Sequence, residues 1–268
     1  MTEVNHDADL QHYQQHGWCK FAFDDELYRW VEHVLPAAAN CLTAKENEHW
    51  WRYQDTWFVG VNALPNDASG AVDGGPRFSG TAQRFMQQLG LSTNQMDRAQ
   101  ISTCFPGYPK AASDESRALH SYRLNRDAAH VDGLLKEGPE RNRFAREHHE
   151  YILLIPLTEV DVGAAPVVVW NESHLIMKEA LIAAFDDIAR EQWTTTAVTE
   201  PYQVARKKVF EQCQRLELNV KPGEAVLAHR LLLHGTSPWQ SHAKAGKHGR
   251  MLCFFRPQNL TMEQWLHN

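Results

Sequence analysis

Two stretches far apart in the chain carry residues that make chemical sense only side by side. Arg126-Asp127-Ala128-Ala129-His130-Val131-Asp132-Gly133 sets a histidine and an aspartate two positions apart. Leu231-Leu232-Leu233-His234-Gly235-Thr236 supplies a second histidine. In an extended strand, residues i and i+2 point to the same face. His130 and Asp132 therefore present an imidazole and a carboxylate to one point, with Val131 turned away. His234 is the best third ligand, because it follows an apolar run and precedes a glycine. Two histidines and a carboxylate would hold a metal from one side and leave the opposite side open, a geometry suited to a non-haem Fe(II) oxygenase. Any fold for this chain has to bring the two stretches together.

At 268 residues, 43% of them hydrophobic, the chain can bury a substantial core as one large domain or two small ones. Its formal net charge of -6 argues against nucleic acid or an anionic membrane as a general partner. No apolar run approaches the roughly 18 residues needed to span a bilayer. Met1 to Leu10 is polar and acidic and does not read as a secretory signal. Cys19, Cys41, Cys104, Cys213 and Cys253 are scattered, without a C-x-x-C pair, which fits reduced thiols in a cytoplasm. A soluble cytoplasmic protein is expected.

Asp9 to Gln15 reads as helix and Trp18 to Phe23 as a short strand. Asp24 and Asp25 cap a helix from about Glu26, in which Leu27, Trp30, Val31 and Val34 keep the helical period until Pro36 stops it. Trp50 to Val61 reads as strand, Asn62 to Gly80 as a turn-rich loop, and Thr81 to Leu89 as a helix closed by Gly90. Ala99 to Phe105 alternates like a strand, and a polar loop follows to Ser121. Tyr151 to Leu157, Val167 to Trp170, Leu216 to Val220, Ala225 to Leu227 and Met251 to Phe255 are further strands. Ile176 to Arg190 and Pro201 to Leu216 look helical. Helices first, then many short strands with one helical excursion, predict a mainly β fold with flanking helices: a double-stranded β-helix, a jelly-roll or cupin-like barrel. Residues 1–268 are expected to form one domain, with the helical insertion at about 176–216.

With those residues in view, the chain resembles the Fe(II)/2-oxoglutarate-dependent oxygenases, specifically the phytanoyl-CoA dioxygenase-like branch. His130-Val131-Asp132 matches the H-x-D motif, and His234-Gly235-Thr236 the distal H-G-[ST]. Gly249-Arg250-Met251-Leu252 resembles the strand carrying the 2-oxoglutarate-binding arginine. The segment Gly163 to His174, the Lys221-Pro222-Gly223-Glu224 turn and the opening Tyr13 to Trp18 agree more weakly. Asn171-Glu172 departs from the usual Pro-Gly before Ser-His, and Arg250 lies farther past His234 than usual. The resemblance covers about Leu10 to Pro257.

The resemblance implies Fe(II) on His130, Asp132 and His234, with 2-oxoglutarate as co-substrate and O2 as oxidant, yielding succinate and CO2. It implies that Arg250 grips the far carboxylate of 2-oxoglutarate, as a guanidinium fork can. Thr236 would add a hydroxyl, and Arg256 is the competing arginine. Related halogenases carry a small residue where Asp132 stands, so hydroxylation of a small molecule, or a related oxidation, is expected and halogenation is not. Tyr122 and Trp170 are candidates to line a substrate pocket, against plain aromatic packing. Arg126 would share the face of His130 and Asp132 if the strand started that early. With Arg117, Arg123, Arg141, Arg143 and Arg146 it could recognise an anionic substrate, although the interleaved acids fit a mixed-charge surface. Two other functions use the same residues: a zinc hydrolase, which leaves Arg250 without a task, and a barrel-fold binding protein without catalysis.

Overall fold

The computed structural model describes residues 6–267, so the first five residues of the polar N-terminus lie outside the described residues. Twelve strands follow in chain order: β1 (Trp18–Phe21), β2 (Trp51–Arg52), β3 (Trp57–Gly60), β4 (Gln100–Cys104), β5 (Leu134–Glu137), β6 (Asn142–Ala145), β7 (Ile152–Pro156), β8 (Val167–Trp170), β9 (Arg215–Leu218), β10 (Ala225–Ala228), β11 (His234–Thr236) and β12 (Arg250–Phe255). Seven helices accompany them: α1 (His6–His16), α2 (Asp25–Cys41), α3 (Thr81–Gln88), α4 (Arg117–Arg126), α5 (Ser173–Phe185), α6 (Thr199–Gln212) and α7 (Met262–His267). The large sheet has the order β1-β10-β7-β12-β4-β3-β2, the small one β11-β8-β9, and β5-β6 is a separate hairpin. Every ladder between these strands is antiparallel.

The period of two along each strand builds the layers. In the large sheet, Leu153 and Ile155 of β7, Leu227 of β10 and Met251, Cys253 and Phe255 of β12 face outward. There they pack on Leu27, Trp30, Val31 and Val34 of α2 and Phe85 and Met86 of α3. Their neighbours Ile152, Leu154, Val226 and Leu252 face inward and meet Val167, Val169 and Leu218 of the small sheet. Val168 and Trp170 of β8 turn the other way, onto Met177 and Leu181 of α5 and Tyr202 and Val209 of α6. Covering both faces of both sheets explains why β7, β8 and β10 read as unbroken apolar runs. Among the described residues no helix is long and apolar enough to cross a membrane.

The two antiparallel sheets face each other across the inward layer, as the expected mainly β fold requires, and among the described residues no ladder joins the large one to the small one. One edge of the large sheet ends in β2, only two residues long, too short to template a further strand. Departures from the expected elements have local causes. Pro36 does not stop α2, which is buried along Val34, Ala38 and Cys41; that burial outweighs the one helical hydrogen bond a proline removes. Asp24 does cap that helix, its Oδ1 accepting from the backbone N–H of Glu26 (2.9 Å) and Leu27 (3.2 Å). Where a polar loop was expected, α4 starts at Arg117, capped by Ser116. It buries only Arg123, so no apolar period announces it. The hairpin β5–β6 buries only Leu134 and Ala145, too few to set an apolar alternation in the sequence.

Candidate metal centre

His130 and His234 stand directly opposite each other in a single antiparallel bridge. The N–H of His130 donates to the carbonyl of His234 at 2.8 Å, and that of His234 returns the bond at 3.0 Å. Opposed residues of an antiparallel pair project to the same face, so the pairing itself aims both rings at one point. Their centroids are 4.6 Å apart. Asp132, two residues on, shares that face. Its Oδ1 lies 3.2 Å from Nε2 of His130 and its Oδ2 lies 3.9 Å from Nε2 of His234. One ligand atom from each of the three residues lies within 4.8 Å of the others. Gly235 permits the approach, because a Cβ there would sit 2.2 Å from the carbonyl oxygen of Asp127.

The protonation pattern suits a cation. Nδ1 of His130 lies 3.0 Å from the carbonyl oxygen of Ala128, and Nδ1 of His234 lies 3.0 Å from that of Leu232. A carbonyl only accepts, so each Nδ1 carries the hydrogen and each Nε2 offers a lone pair to the shared point. Burial, then the neighbouring His130, pull the pKa of His234 down to about 4, against the opposing pull of Asp132. Burial disfavours the charge on Asp132. The Arg256 guanidinium, with His130 and His234, outweighs it and holds the carboxyl well below the usual range. The set therefore offers the Nε2 atoms of two imidazoles and one carboxylate. His130 is the open member, with 45% of its side chain exposed against 9% for Asp132.

One strand carries an arginine at this point and a second far along it. Residues 250, 252, 254 and 256 share the inward face of β12 and its extension. Nη1 of Arg256 donates to Oδ2 of Asp132 at 2.8 Å, and Nη2 donates to Oε1 of Gln100. Arg250 sits at the other end of the strand, about 20 Å away between Cα atoms at the usual strand rise. It is 4% exposed. Its Nη2 meets Sγ of Cys104 at 3.1 Å, while Nε and Nη1 are buried without partners. A cavity of about 340 Å³ is lined by His130, Asp132 and His234 and also takes in Thr236, Trp57, Val59, Ser102, Arg143 and Phe254. A smaller one, about 130 Å³, is lined by Arg250 and Leu252. Val167 walls both.

The structure thus gathers His130, Asp132, His234 and Thr236, and it places Arg250 in the adjoining cavity. Three other candidates lie elsewhere. Arg126 ends α4, its guanidinium 4.7 Å from the Phe210 ring. Asp127 and Ala128 follow with positive φ (54° and 53°), so no strand reaches back to align Arg126 with His130. Tyr122 is on α4, donating its hydroxyl to the carbonyl of Ala129 at 2.7 Å. Trp170 packs against Phe210 on the far side of the small sheet. Two supports had no local signal: the clamp of Arg256 on Asp132, and the paired bonds from Arg215 to Asp127 (2.8 and 2.7 Å) that hold the turn before His130.

No family model and no curated protein sequence matches the chain. Solved structures do. SnoK, a non-haem α-ketoglutarate-dependent carbocyclase from nogalamycin biosynthesis, superposes with a TM-score of 0.51 at 12% identity, over 95% of this chain and 84% of its own. The chain has the fold of that enzyme. SnoN, an epimerase solved with Fe3+, α-ketoglutarate and nogalamycin RO, gives 0.48 at 12% identity, covering 95% and 87% of the two chains. EctD from S. alaskensis, solved with 2-oxoglutarate and 5-hydroxyectoine, gives 0.46 at 14% identity, covering 96% and 77%.

Proposed function

We propose that the chain is a non-haem Fe(II)- and 2-oxoglutarate-dependent oxygenase of the phytanoyl-CoA dioxygenase-like kind, hydroxylating a small molecule. One observation carries the reading: two Nε2 lone pairs and an anionic carboxylate converge, each imidazole locked in the required tautomer by a backbone carbonyl. His130, Asp132 and His234 would hold the iron. When bound, the metal and 2-oxoglutarate supply activation of O2, with decarboxylation of the keto acid to succinate and CO2. The buried nitrogens of Arg250 lack partners, as a site built for a dicarboxylate requires, and would take the far carboxylate with help from Thr236. The carboxylate at position 132 supports hydroxylation over halogenation.

Anaerobic addition of Fe(II) and then 2-oxoglutarate should produce a weak visible charge-transfer band. His130→Ala should abolish it, and Arg250→Lys should require at least tenfold more 2-oxoglutarate, about the worth of a charge-assisted hydrogen bond. Absence of the band in the wild type, with tightly retained zinc, would overturn the reading.

A further inference from the structure

Beside the metal cavity four cations gather: Arg143, which lines it, and Lys136, Arg141 and Arg206, which act on one another's charge. Arg143 of β6 lines the cavity and is the cross-strand partner of Lys136 on β5. Like charges directly opposed across a ladder destabilise it. The Arg143 guanidinium lies 4.6 Å from the Tyr202 ring. That of Arg206, on α6, lies 5.4 Å from the same ring and 4.9 Å from Tyr122. The hydroxyl of Tyr202 is buried without a hydrogen-bond partner. Burial, and then Arg143, Arg141 and Arg206, push the ammonium pKa of Lys136 down, with no carboxylate opposing them.

The nearby acids are engaged elsewhere. Glu137 pairs with Arg146, Glu140 accepts from Asn142, and Glu147 is bound to His149 at the metal end. Among the described residues no ion pair reaches Lys136, Arg141, Arg143 or Arg206. The cavity that Arg143 shares with His130, Asp132 and His234 has Trp57, Val59, Val61, Leu134 and Leu135 in its lining, beside the polar Gln100, Ser102 and Glu147.

We infer that the substrate is an amphipathic anion: a carboxylate or phosphate held by Arg143, with Lys136 and Arg206 behind it, and an apolar body lying along Trp57 and Leu135 toward the metal ligands. The inference rests on the proposed function for what happens to the molecule, not for its capture. The anion relieves the repulsion between Lys136 and Arg143, and the apolar body displaces water from the cavity.

Binding of octanoate, octyl phosphate and octanol to the full-length protein as purified, followed by calorimetry, tests it without iron or 2-oxoglutarate. Either or both anions should bind at least tenfold more tightly than octanol, the worth of one or more charge-assisted hydrogen bonds, and the better anion identifies the head group. Arg143→Met should remove that preference. Nη1 of Arg143 donates to the Leu134 carbonyl at 2.8 Å, and the variants Lys136→Glu and Arg206→Glu, which leave that bond in place, should each weaken anion binding several-fold. Equal affinity for octanol and both anions, or a loss seen in Arg250→Met but in none of these three variants, would overturn the inference. The oxygenase reading fails separately, through a missing band in the anaerobic titration.

Discussion

At 4% exposure, with two of its nitrogens unpaired, the Arg250 guanidinium is a buried charge whose desolvation is uncompensated. Methionine reaches about as far without that cost. Arg250→Met should therefore leave the ligand-free protein as stable as the wild type or more so, in urea unfolding, while 2-oxoglutarate binding weakens at least tenfold. Arg256 is the opposite case, because its partner Asp132 is present. Arg256→Met strands a buried carboxylate and should cost about 3–5 kcal/mol of metal-free stability, and Co(II) binding measured by calorimetry should weaken by roughly 10–100-fold. The contrast also separates what could be read from the chain. The shared face of His130 and Asp132 is a two-residue relation, and the Leu231–Leu233 run marks His234 as entering a core. The Arg256–Asp132 bond spans 124 residues, and nothing local to either residue announces it.

Elements were legible where packing imposes an apolar run or an apolar period, and obscure where it imposes neither. The strands β7, β8 and β10, buried on both faces, and the amphipathic α2 stand out in the sequence; α4, largely solvated, and β5–β6, with only two buried residues, do not. Pro36 is a stop signal only locally; the burial of Ala38 and Cys41 beyond it carries α2 on to Cys41. Closure into a barrel depends on edge strands meeting, a property of no single segment. The bridge between His130 and His234 depends on backbone proximity at Gly235, where a methyl group would meet the carbonyl oxygen of Asp127 at 2.2 Å. Gly235→Ala should therefore force the two histidines apart. A loss of more than about 2 kcal/mol in urea unfolding, with loss of Co(II) binding, is the expected result; wild-type values for both would refute this account of the bridge.

On the scale of the molecule, acid is the expected weakness. His229 is buried, and desolvation followed by Arg230 and His174 holds its pKa well below the ordinary value; burial lowers His174 as well. Both sit where the N-terminal segment docks: the backbone N–H of His229 donates to the Gly17 carbonyl, and Nε2 of His174 donates to that of Gln14 at 3.2 Å. The unfolded chain takes up these protons near pH 6.5 and the folded chain only at lower pH. The contribution of these two groups to stability is thus level above about pH 7 and falls as pH drops below about 6.5, by up to about 1.4 kcal/mol per pH unit for each group. Urea midpoints at pH 7.5, 6.0 and 5.0 measure the fall, and His229→Gln should flatten it.

The reciprocal backbone bonds of His130 and His234 also make a timing device for the experimenter. Two amide protons, 104 residues apart in sequence (234 − 130), are shut inside one bridge. Their exchange with deuterated water reports whether the two stretches are joined, independently of what occupies the cavity. If the bridge forms with the fold, both amides exchange together and as slowly as the core strands before any metal is added. If they exchange early and slow only on loading, the last piece of the scaffold is assembled by its own cargo.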